Sequence, residues 1–134
     1  MPQLIKHIDK IAREKQRDVL YVQFDRKVYS SDNYEKWKAR TRFIHWLQQN
    51  RIAYEKCGCF ASENSMESYQ GQLYIDIAYD ESLAEYQKLS EHLEYADGRM
   101  KIKGLLFYYV SLEQAMKNKH HDDEGFWERW AENF

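Results

Sequence analysis

The strongest constraint on the fold is an interleaving of two periods along the chain. Four short runs alternate with a period of two, and two longer stretches between them repeat at helical spacing. Residues 17–25, RDVLYVQFD, put Leu20, Val22 and Phe24 on one side and Val19, Tyr21 and Gln23 on the other. Residues 52–60, IAYEKCGCF, form a second run weakened by Gly58. In residues 70–82, QGQLYIDIAYDES, the set Leu73, Ile75, Ile77 and Tyr79 opposes Gln72, Tyr74, Asp76 and Ala78. The fourth run, KIKGLLFYYVSL at 101–112, is apolar on both sides. Between the first two runs, residues 30–50 carry Tyr34, Trp37, Phe43, Ile44 and Leu47 on one wide helical arc. Asp32 and Glu35 there have capping-box spacing. Ser82 and Glu85 repeat that spacing before a helix expected to bury Leu83, Tyr86, Leu89 and Leu93, with ADG at 96–98 as its stop.

Strand–helix–strand–strand–helix–strand is the split βαβ order. The expected fold is therefore α+β: a ferredoxin-like, four-stranded antiparallel sheet with two helices on one face, forming one domain over residues 1–134. A further helix is expected at about residues 3–16, with Leu4, Ile8, Ile11 and Ala12 on one stripe, and an aromatic helix after Asp123. The plan pairs the first and third strands at the centre. Tyr21 and Gln23 then lie beside Tyr74 and Asp76, on the face away from the two principal helices. "LYVQF" at 20–24 and "QGQLYIDI" at 70–77 resemble the two strand submotifs of the RNA-recognition motif, with Tyr21, Gly71 and Tyr74 matching. That resemblance implies stacking of bases on the two tyrosines. The chain departs from the pattern at Gln70, Gln72 and Asp76. The competing expectation is that the terminal helices or a second subunit cover this face.

Length and composition fit a packed core. The 134 residues are 43% hydrophobic and 16% aromatic, against 31% charged. No run approaches the ~20 apolar residues of a membrane span, and the first sixteen residues contain no apolar signal-peptide core. Cys57 and Cys59 lie two apart, a spacing that suits neither a disulfide nor the CxxC redox pair, so a reduced cytoplasmic setting is expected. Net charge is −2, divided as +6 over residues 1–56 and −8 over the rest. The halves can neutralise each other within one chain, pair between subunits, or present a basic surface to an anionic partner.

Chemically loaded groups are few. Asp25 and Asp76, on the two central strands, are candidate ligands for a hard divalent cation in a metal-dependent nuclease. His120 and His121 in KHHDDE read as loop residues rather than a metal site, because adjacent histidines rarely converge on one ion. Gly-rich phosphate loops, dinucleotide fingerprints and triad signatures do not occur. Arg40 falls inside the apolar arc of its helix, where its stem reaches past Leu47 to water or its head meets an acid near the sheet. Phe126, Trp130 and Phe134 recur every four residues beside Trp127, as anchors for a partner or for fold-back onto the chain's own core. The function expected from these features is non-enzymatic binding of a protein partner or of a second copy, without cofactor, metal or membrane. Single-stranded nucleic-acid binding through Tyr21 and Tyr74 is the first alternative, and the Asp25/Asp76 nuclease the second.

Overall fold

The computed structural model describes residues 5–25, 34–62 and 69–133. The chain is α+β, and its described residues build a five-stranded mixed sheet and five helices. The elements run β1 (Lys6–His7), α1 (Ile8–Lys15), β2 (Val19–Phe24), α2 (Lys38–Gln49), β3 (Tyr54–Gly58) and β4 (Leu73–Ile75). They continue with α3 (Ala84–Leu93), β5 (Leu105–Val110), α4 (Leu112–Met116) and α5 (Phe126–Asn133), with single 3-10 turns at Tyr34–Lys36 and Lys119–Asp122.

The sheet order is β1-β3-β4-β2-β5. β3, β4, β2 and β5 pair antiparallel, while β1 lies parallel to β3 with His7 opposite Gly58. The fifth strand corrects the expected four, because the N-terminal helix begins only at Ile8. His7 is extended (φ −64°, ψ 149°), and its Nδ1 lies 3.2 Å from the Cys59 carbonyl oxygen. Strand pairing therefore takes two residues that helical periodicity had claimed. Leu4 lies outside the described residues.

Both faces of the sheet are covered at its centre, while Tyr108 and Tyr109 of β5 remain exposed. On one face, Leu20, Val22, Phe24, Leu73, Ile75 and Leu105 meet Phe43 and Leu47 of α2 and Leu89 and Leu93 of α3. On the other, Val19, Tyr21, Cys57, Tyr74 and Val110 meet Ile8, Ile11 and Ala12 of α1 and Ala115 of α4. α4, which the sequence pattern did not separate from the tail, is fixed at its start by Ser111 and Asp18. Their side-chain oxygens accept from the Gln114 and Leu112 amides at 3.1 and 2.8 Å.

The predicted Ser82–Glu85 capping box does not set the start of α3. α2 begins after Trp37, whose extended backbone accompanies packing of its ring 5.8 Å from Phe24. Asp32 lies outside the described residues. Before α3, Ser82 donates its hydroxyl and amide to the Asp80 carboxylate (2.6 and 2.9 Å), Leu83 occupies the cap position, and its side chain is exposed rather than buried. The alternation of residues 70–82 condenses to a three-residue strand: the Ile77 amide donates to the Ile75 carbonyl at 2.8 Å and turns the chain out of the ladder.

Candidate functional site

Tyr21 pairs directly with Tyr74 across β2 and β4. Both rings lie beneath the covering helices, and Tyr74 is only 1% exposed. Its hydroxyl donates to Asp76 at 2.7 Å, and Asp76 also accepts from the Arg17 guanidinium at 2.7 Å. Lys15 stands 3.9 Å from the same carboxylate. The carboxylate that follows β4 is therefore balanced by the basic residues at and just beyond the end of α1. Burial, the Asp76 hydrogen bond and the adjoining charge push the Tyr74 phenol up to about 12 against the opposing pull of Arg17. Burial does the same to Tyr21. Half-buried Gln23 donates toward the Tyr21 hydroxyl at 3.3 Å.

The β2–β4 register corrects the pairing of Asp25 with Asp76. Leu20 faces Ile75, so continuation of the same register sets Asp76 opposite Val19, whereas Asp25 follows the other end of β2. Six residues of extended chain separate those levels, roughly 20 Å at the usual rise, too far to share one ion. Among the described residues no group of three His, Cys, Asp or Glu side chains is placed to hold a metal.

Arg40 does not snorkel. It is 6% exposed and donates Nε to the Gly71 carbonyl (3.0 Å) and Nη2 to the Tyr69 hydroxyl (3.1 Å), with its guanidinium 4.8 Å from the Tyr34 ring centre. Tyr69 in turn donates to the Gln72 carbonyl at 2.8 Å. This arrangement requires glycine at 71, where φ is +88° and a Cβ would lie 3.0 Å from that of Tyr34. Among the described residues Arg40 meets a carbonyl, a hydroxyl and a ring, and no carboxylate pairs with it.

The tail turns back onto the chain. Trp127 packs 5.7 Å from His7 and 4.7 Å from the buried His121, Phe126 stacks on His121 at 4.8 Å, and Trp130 adjoins Trp127 at 5.4 Å. These three α5 aromatics are half-buried, and Phe134 lies outside the described residues. The anchor of this fold-back was missed in the sequence. Arg13 of α1 grips Asp122 with two hydrogen bonds (2.7 and 2.8 Å), Asp9 at 2.8 Å and the Ala115 carbonyl at 2.9 Å. Asp9 is fully buried and accepts further bonds from the Ala61 amide and Asn118. Burial alone would raise the Asp9 carboxyl, but these donors hold it below the usual carboxylate range. The available signal was the i,i+4 spacing of Asp9 and Arg13 beside the apolar stripe.

With the second face covered and the tail docked, the open surface is the outer side of β5. The far edge of the sheet is blunted, because β1 has two residues. β5 has six, LLFYYV, without proline or charge, and among the described residues nothing pairs with its outer side. Tyr108 and Tyr109 are 45% and 54% exposed on opposite faces of the strand. Tyr109 meets Tyr79 edge-on at 4.7 Å, and Tyr79 stacks on Tyr86 at 5.3 Å. Beyond them lies a surface groove of about 610 Å³, lined in part by Tyr79, Tyr86, Glu81, Glu91, Glu94 and Lys101. No protein-family model, no curated protein and no solved structure matches the chain. No helix among the described residues is long and apolar enough to cross a membrane.

Proposed function

We propose that this chain is a non-enzymatic cytoplasmic protein-binding module, and that it binds through the free edge of β5. The order β3-β4-β2-β5, with α2 and α3 on one face, supports a ferredoxin-like plan to which β1 and a covering layer of α1, α4 and α5 have been added. One observation carries the functional reading: a six-residue, uncharged edge strand with two exposed tyrosines, in a sheet whose centre is covered on both faces and whose other edge strand has two residues. Such an edge offers unpaired amides and carbonyls to an incoming strand, and alternate side chains give the pairing specificity. Stacking of bases on Tyr21 and Tyr74 receives no support from their burial, since α1 would have to leave before a base could reach either ring.

A photoreactive amino acid placed at position 108 or 109 tests this, with one at exposed His45 on α2 as the control. The expected result is covalent capture of protein from positions 108 and 109 only. Capture of nucleic acid, or equal capture from position 45, overturns the reading.

A further inference from the structure

We infer that the strand which docks on β5 is β5 of a second copy, joined antiparallel about a twofold axis near the middle of the strand. This rests on the reading of the β5 edge as the binding surface and names its occupant. Charge order along the chain supports the choice. Lys103 precedes the strand and Glu113 follows it, both exposed, while Lys101 donates its ammonium to the Glu91 carbonyl at 2.7 Å. Antiparallel pairing brings the cationic end of each copy beside Glu113 of the other, whereas parallel pairing sets lysine beside lysine. Among the described residues Glu113 has no ion-pair partner within its own chain.

A twofold contact must be self-complementary, because the same patch serves both sides. The uncharged sequence LLFYYV meets that condition. Its outward amides and carbonyls find each other, and Tyr108 and Tyr109 supply aromatic cross-strand contacts on both faces of the new pair. The result is one continuous ten-stranded sheet with two blunt β1 edges outermost, so assembly stops at two copies.

Sedimentation over a dilution series decides the matter. The wild-type chain is expected to reach twice the chain mass as concentration rises. Tyr108→Lys, which sets two ammonium groups beside the axis, is expected to remain monomeric with an unchanged far-UV spectrum. Glu113→Lys is expected to weaken association roughly five-fold at low salt, from loss of two symmetry-related exposed pairs, and less at high salt. If Tyr108→Lys misfolds, hydrogen exchange on the wild type substitutes for it: protection of β5 amides should rise with concentration. A chain monomeric throughout overturns self-pairing, as does a Tyr108→Lys dimer as tight as wild type. A monomer that still captures protein from position 108 leaves the edge-binding reading standing, whereas a monomer that captures none refutes both.

Discussion

Arg13 joins the first helix to the last third of the chain through four hydrogen bonds to Asp9, Asp122 and the Ala115 carbonyl. Removing one member of a buried, hydrogen-bonded ion pair costs about 3–5 kcal/mol, because the other charge is left without compensation. Arg13→Met is therefore expected to destabilise the chain by roughly that much, measured by urea unfolding near neutral pH. The double replacement Asp9→Leu with Arg13→Met should recover part of the loss. His92 makes a separate prediction. Its ring stacks on Trp46 at 4.0 Å, and burial followed by the nearby Lys101 charge lowers its pKa. The unfolded chain then binds its proton first, so the contribution of His92 is complete above the ordinary value of about 6.5 and falls away as pH drops below it. Unfolding free energies at about pH 7.5 and 5.5 should differ less in His92→Phe than in wild type.

The terminal helix acts as a cover, and its half-buried rings set the size of the effect. Trp127 lies between His7 of β1 and His121 of the 3-10 turn, so α5 also pins the short edge strand. Partial burial places Trp127→Ala at about 1–2 kcal/mol, below the ~3–5 kcal/mol of a fully buried aromatic. Deleting residues 125–134 should cost a few kcal/mol and lower the melting temperature, leaving association through β5 intact. Thermal melts beside light scattering check both halves. Loss of association at unchanged stability would assign the tail to partner binding instead.

A single sheet carries both cores, so neither layer has an apolar surface that survives without the other. Leu20 and Val22 face α2 and α3 while Val19 and Tyr21, their immediate neighbours on β2, face α1. The whole chain is accordingly expected to unfold in one step. Tryptophan fluorescence combines Trp37 and Trp46 on one side with Trp127 and Trp130 on the other. Its urea transition should coincide with that of far-UV circular dichroism. Two separated transitions would show that the covering layer detaches by itself.

Period-two alternation in residues 17–25 and 101–112 located β2 and the edge strand β5, and helical spacing across residues 30–50 and 82–98 located α2 and α3, although both helices start later than that spacing predicts. Those patterns follow from which side of each element is buried, and burial is written locally in side-chain polarity. The strand pairing expected from the order of these elements placed Tyr21 beside Tyr74, as the register has it, but also Gln23 beside Asp76, which the register separates. Residues 6–7 joined the sheet, α2 started only after Trp37, and Asp80 bound Ser82 ahead of the cap, because each outcome turned on a competing partner that periodicity does not register. The Arg13 clamp joins groups 109 residues apart in sequence, and Asp25 and Asp76 separated because strand register, not strand adjacency, sets distance along a sheet. The edge at β5 belongs to the same class. "LLFYYV" reads as a strand covered on both faces, and its open side lies in the hydrogen-bonding direction, where side-chain pattern carries no record.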